Sequence, residues 1–142
     1  MEGYLETTFA MLKPDCIERK LTGKVIDFIL EHDFEIQRLK KLHLSTRQAE
    51  SFYFMHKGKD FYEPLIKFMT SGPVIPMVIS RKDAIEKFRE VIGKTDPEKA
   101  ASGTLREMYA TDIRHNVVHG ADSPENATRE IAFFFPKIDL IK

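Results

Sequence analysis

The run Thr7-Thr8-Phe9-Ala10-Met11-Leu12 is almost continuously apolar, carries β-branched and aromatic members, and stops at Lys13-Pro14. A strand with one wet face alternates apolar with polar residues, so a run that does not alternate reads as a strand buried on both faces. Residues 74–80 and 131–135 read the same way. Residues 34–44 instead mix Phe, Ile and Leu with Arg and Lys, which predicts a longer, half-exposed strand, bulged near Leu39 where the alternation slips. Four strands are expected.

Helices are expected between them. Ser45 with Gln48 forms a capping box before Ala49, Phe52, Tyr53 and His56, and Ser80 with Asp83 is expected to cap a helix whose Ala84, Phe88 and Val91 share a face. Gly93 ends that helix. Ser123-Pro124-Glu125 supplies a cap, a proline at the first helical position and an early acid, so another helix starts there. Residues 93–103, between two glycines, lack apolar periodicity and read as a surface loop of functional length. By itself, the alternation of strands and helices around one core favours a parallel α/β sheet.

At 142 residues the chain is the size of one domain, and 42% hydrophobic with 31% charged residues is a soluble globular profile. Its 22 basic and 22 acidic side chains balance, which gives no support to a nucleic-acid or anionic-membrane partner. Cys16 is the single cysteine, so no internal disulfide can form, in keeping with a reducing compartment. The opening Met1-Glu2-Gly3-Tyr4-Leu5-Glu6 carries acid rather than base, which predicts neither a signal peptide nor a transmembrane span, and a cytoplasmic location.

The chemistry concentrates in Asn116-Val117-Val118-His119-Gly120-Ala121-Asp122-Ser123. Here a histidine leaves a short apolar strand-like step and enters a turn just before a helix start. Such a residue is held by the main chain yet open to a cleft. Imidazole titrates near neutrality, so its neutral, nucleophilic form is available without strong tuning, as covalent phosphoryl transfer requires. His32, His43 and His56 read as structural, and His115 has no supporting motif.

Together with Thr8-Phe9-Ala10-Met11-Leu12-Lys13-Pro14-Asp15 and Ser71-Gly72-Pro73-Val74, this block resembles the nucleoside diphosphate kinase family, over about Thr7 to Phe135. The resemblance implies one domain over residues 1–142, of α+β class. The sheet is then four-stranded and antiparallel, of ferredoxin-like βαββαβ topology and covered by helices, rather than parallel. It implies transfer of the γ-phosphate of a nucleoside triphosphate to a nucleoside diphosphate by a ping-pong route with broad base specificity. His119 then takes the phosphate on one ring nitrogen while Glu130 holds the other. Lys13 and Asn116 meet the ribose hydroxyls, Lys13 also approaches the transferred phosphate, and Tyr53 lies beside the histidine.

On the same resemblance, Arg89, Arg106 and Thr95 bind phosphate oxygens, and Phe61 stacks on the base with Leu65 and Ile113 beside it, a slot open to purines and pyrimidines alike. Magnesium (Mg2+) comes with the nucleotide, and Asp122 contacts it indirectly. The partners implied are nucleoside di- and triphosphates and further copies of the chain, as tetramer or hexamer. The alternative is a catalytically weak member kept as a nucleotide-binding or interaction module, and a nucleic-acid binder of the same fold fits poorly with zero net charge.

The chain departs from the family pattern at four places. Gly58-Lys59-Asp60 stands where an arginine–proline pair commonly precedes the stacking phenylalanine, Glu107-Met108 where a small residue and an aspartate are usual, and Arg114-His115 where a glycine often occurs. Ala121 replaces a serine whose hydroxyl could support Glu130, so water or a main-chain donor is expected to fill that role.

Overall fold

A computed structural model describes residues 5–136; the residues Met1-Glu2-Gly3-Tyr4 and the end of the chain at Lys142 lie outside them. Strand β1 (Glu6–Leu12) leads through helices α1 (Pro14–Glu18) and α2 (Thr22–Glu31) to β2 (Glu35–Leu39). Helices α3 (Thr46–Phe52) and α4 (Tyr62–Met69) precede β3 (Ile75–Arg81), and α5 (Ala84–Ile92) and α6 (Leu105–Tyr109) precede β4 (Val118–Gly120). Helix α7 (Pro124–Phe134) follows. The strands lie in the order β2-β3-β1-β4, and every neighbouring pair is antiparallel. This is the βαββαβ sheet, so the parallel sheet favoured by alternation alone is not formed.

β1 is central, and its successive side chains leave it on opposite faces. Phe9 and Met11 enter a core with Phe52, Met69, Val78 and Phe134, while Ala10 and Leu12 enter another with Val25, Ile29, Met77, Ile79 and Phe88. Both faces are therefore dry, which is why the run does not alternate. β2 is an edge strand with intermediate and exposed positions, and its bulge falls between Ile36 and Arg38, earlier than Leu39. The strand ends at Leu39, and the pairing continues past it through the Lys40 N–H, which donates to the Pro76 carbonyl at 3.2 Å, and an isolated bridge between Leu42 and Val74.

Residues 131–135 are not a strand. Ser123 accepts the Asn126 N–H at 3.1 Å, Pro124 sits at the first helical position, and α7 runs on to Phe134. Its Ala127, Glu130, Ile131 and Phe134 are buried at helical spacing, and a short apolar run at a helix end cannot be told from a strand by composition. The fourth strand is instead the three-residue step that carries His119.

The Ser45–Gln48 capping box forms on α3. Ser80, by contrast, is 2% exposed inside β3 and does not cap α5; Asp83 takes the cap position in a left-handed conformation, and Glu6 Oε1 accepts the Ile85 N–H at 3.0 Å. Gly93 ends α5 at φ +89°, and residues 93–103 are loop apart from a 3-10 turn at Pro97–Lys99.

The backbone after His119 touches α5 closely. A Cβ at Gly120 would lie 2.8 Å from Phe88 Cδ2 and 3.1 Å from Ile92 Cδ1, both side chains being only 1% exposed and unable to swing away. Gly120→Ala is expected to lower the unfolding free energy by about 1–3 kcal/mol, the usual range for overpacking, as a fall in urea midpoint at unchanged slope. An unaltered midpoint would show that α5 yields.

Candidate active site

The site begins where β1 and β4 meet. Met11 pairs with His119, and the Lys13 N–H donates to the Val117 carbonyl at 2.9 Å, so the two motif segments are joined through the main chain. Between Asn116 and His119 the chain makes a tight turn: the Val118 N–H donates to the Asn116 carbonyl at 2.8 Å, with Val117 at φ +65°. That is a strained conformation for a β-branched residue. It is held by the Asp15 carboxylate, which accepts the Val117 N–H at 3.2 Å. Burial pushes the Asp15 carboxyl above the ordinary range, against the pull of Lys13.

The turn aims His119 across a cleft of about 820 Å³. Phe9 and Phe52 flank the imidazole edge-on, with centroids 5.8 and 5.9 Å away, which fixes the ring plane. Nε2 pairs with Glu130 Oε1 at 2.9 Å. Glu130, buried on α7, is brought opposite by the short turn through Asp122 and the Ser123 cap. Nδ1 is the ring nitrogen left for chemistry.

All ten residues expected around the nucleotide, Lys13, Tyr53, Phe61, Leu65, Arg89, Thr95, Arg106, Ile113, Asn116 and His119, line this cleft. Lys13 Nζ donates to Asn116 Oδ1 at 2.7 Å, while Asn116 Nδ2 donates to the Ile113 carbonyl at 2.9 Å and the Thr95 carbonyl at 3.3 Å. Asn116 thus also ties two loops to the end of β1. Burial, aided by the Arg106 charge, lowers the Lys13 ammonium to about 7.

Arg106 donates Nη1 to the Gly93 carbonyl at 3.0 Å and Nη2 to the Val118 carbonyl at 2.7 Å, so it splints the loop after α5 to β4. Its Nε–H is buried with no partner among the described residues, a donor set that an anion would complete, and burial with the nearby Arg89 charge brings the guanidinium down to about 10. Tyr53 is buried, and burial with the Glu130 charge raises its phenol, which therefore stays a neutral donor.

At the other end Phe61 and Ile113 are 44% and 61% exposed, with Leu65 half-buried, giving an open slot with apolar walls. Lys59, from the departing Gly58-Lys59-Asp60 segment, sits 5.7 Å over the Phe61 ring. Asp122 belongs to the adjoining part of the cleft with Glu130 and is held below the usual carboxylate range, chiefly by the Asn126 amide at 2.6 Å.

His32 and His43 bond the Phe28 and Thr70 carbonyls, and His115 is pinned between Asp112 and Phe68, none lining the cleft. His56 differs from its structural reading: it lines the cleft, edge-on to Phe61 at 5.1 Å. Arg129 was also not singled out by the sequence. Neighbours i and i+1 on a helix do not ordinarily face each other, so nothing in the pattern ties it to Glu130.

The nucleoside diphosphate kinase family profile matches residues 6–140. The chain is 45% identical to the nucleoside diphosphate kinase of Persephonella marina, over 97% of this chain and 99% of that one. With the nucleoside diphosphate kinase of Helicobacter pylori the identity is 47%, over 95% and 98%. Among solved structures, the Aquifex aeolicus nucleoside diphosphate kinase superposes with a TM-score of 0.92 at 37% identity, covering 97% of this chain and all of that one (100%). A halophilic nucleoside diphosphate kinase from Halobacterium salinarum in complex with CDP gives 0.92 at 35% identity, covering 98% and 93%.

The lowered Lys13 ammonium has a consequence for stability. Unfolded, this lysine keeps its proton up to its ordinary 10.5; folded, it releases it near 7. Between those values the unfolded state binds more protons, so the contribution of Lys13 makes the fold more stable as pH rises through the window. Relative to Lys13→Met, which cannot titrate, the parent chain is expected to gain stability from pH 7 towards 10.5 and to show a flat difference below 7, in urea unfolding across that range. A flat difference throughout would mean that the ammonium is not desolvated.

Proposed function

This chain belongs to the nucleoside diphosphate kinase family, and on that premise we propose how its residues divide the transfer of a γ-phosphate from a nucleoside triphosphate to a nucleoside diphosphate. His119 is the nucleophile. The 2.9 Å pairing of its Nε2 with buried Glu130 carries the assignment, because it commits one nitrogen and leaves Nδ1 for phosphorus. The Nδ1 electron pair forms the N–P bond as the bond from phosphorus to the bridging oxygen breaks, and the diphosphate leaves with that oxygen. A terminal phosphate oxygen of a second diphosphate then takes the phosphoryl group and restores the imidazole. Glu130 fixes the tautomer and stabilises the positive character of the phosphorylated ring.

The loose transition state spreads charge over the transferred oxygens, so positioning and cations matter more than a strong base. Arg89, Arg106 and Thr95 bind the phosphate chain. Lys13 and Asn116 meet the sugar, with Lys13 also reaching the transferred group, and Tyr53 supplies a neutral hydroxyl beside His119. Phe61 stacks on the base against Leu65 and Ile113, without reading its edges.

Among the described residues no three carboxylate, imidazole or thiolate groups gather as a metal cage, and Asp122 is an exposed carboxylate in the part of the cleft next to His119. That donor set fits Mg2+ carried by the nucleotide, and Asp122 is the side chain that would support it indirectly. When bound, the ion neutralises charge on the phosphate oxygens. The reading further includes a single domain over residues 1–142, a cytoplasmic location and a homo-oligomer, tetramer or hexamer. No helix among the described residues is long and apolar enough to cross a membrane.

Incubation with γ-labelled ATP is expected to yield an acid-labile, base-stable phosphoprotein that discharges to any added nucleoside diphosphate. His119→Ala is expected to abolish labelling while nucleotide binding survives; a label retained on another histidine would overturn the assignment. Phe61→Ala is expected to weaken binding by roughly 1–3 kcal/mol for adenine, guanine and pyrimidine nucleotides alike, as titration calorimetry would measure. A loss confined to one base would mean edge recognition instead.

A further inference from the structure

Glu130 is 4% exposed, and each of its carboxylate oxygens faces one side chain. Oε1 is taken by His119 at 2.9 Å; Oε2 lies 3.4 Å from Nη2 of Arg129. A buried carboxylate with one oxygen unmet loses much of its hydration and rotates towards any donor it can find. Ala121, 2% exposed in the core, has no hydroxyl to offer. The neighbouring Arg129 guanidinium offers N–H donors instead, and it is itself fixed: Nη1 donates to the Phe52 carbonyl at 3.3 Å, and the group lies 5.4 Å over the Phe52 ring and 5.8 Å over that of Phe54. The same Phe52 ring abuts His119, so imidazole, carboxylate and guanidinium share one support.

We propose that Arg129 is a positioning residue in this chain, taking the place of the absent hydroxyl by holding Glu130 Oε2, so that Oε1 stays aimed at His119. The proposal rests on the reading of His119 as the phosphate acceptor. Arg129 acts through Glu130 and does not touch the nucleotide. Arg129 thus adds a side-chain support for the acid to the water or main-chain donor expected from the sequence.

The test compares Arg129→Met, which keeps an apolar stem on Phe52 and removes the cation, with Arg129→Lys and the double variant Ala121→Ser/Arg129→Met. The readouts are the single-turnover rate of phosphohistidine formation from ATP, the Kd for ADP and the thermal midpoint. Arg129→Met is expected to slow phosphorylation about 10–100-fold, as loss of a partner to an orienting group does, with the Kd for ADP unchanged. Arg129→Lys is expected to retain most of the rate, and the serine of the double variant to restore part of it.

A rate within twofold of the parent for Arg129→Met overturns the proposal. A Kd weakened in proportion to the rate also overturns it, by making Arg129 a substrate contact. So does a lowered thermal midpoint with no rescue by either lysine or serine, since the role would then be merely structural. Absence of label on His119 in the parent chain would instead reject the reading on which the proposal rests.

Discussion

The antiparallel pairing of β4 with β1 is the constraint on which the rest of the structure depends. β1 cannot move, because Phe9 and Met11 are packed on one face and Ala10 and Leu12 on the other. β4 has three residues, too few to be stable as a strand by itself, yet its register with β1 places His119 opposite Met11. The main-chain bonds of Lys13 to Val117 and of Ala121 to Phe9 extend the join in both directions. A histidine carried this way inherits the rigidity of the core, and rigid placement is what a reaction governed by positioning requires.

The same join concentrates charge where water is scarce. Lys13, Asp15 and Arg106 are each under a tenth exposed and surround the strained turn at Val117. Both cations are shifted towards neutrality by burial, and each is weakened further by another cation, Lys13 by Arg106 and Arg106 by Arg89. Uncompensated buried charge is destabilising, and a polyanionic phosphate chain is the kind of partner that would offset it. The cleft is thus polarised in favour of anions before one arrives. Across from it, Glu130 and Asp122 keep negative charge on the α7 side of His119.

Much of this was legible in the chain. The non-alternating run at β1, the capping box of α3 and the Ser123-Pro124 start of α7 are local signals, decided by residues a few positions apart. The misreadings share a cause. Residues 131–135 have strand-like composition but complete the buried face of α7, a fact of tertiary packing. Ser80 and Asp83 match a cap by spacing, yet β3 keeps Ser80 and Glu6, distant in sequence, meets the Ile85 N–H instead. The bulge sits at Gln37 because β3 sets the register of β2, which alternation within β2 cannot express.

The site divides along the same line. Residue types and motif spacing by themselves determined the chemistry available: a histidine on a turn before a capped helix, a lysine ending a buried strand, and arginines at family positions. Only the tertiary structure decided which ring nitrogen of His119 is committed, that Arg106 and Asn116 are partly spent on carbonyls, and that Arg129 reaches Glu130. The physical reason is range. Propensity and capping act within a turn or two of chain, whereas hydrogen-bond partners of buried groups are chosen by whatever the packed sheet and helices bring within about 3 Å.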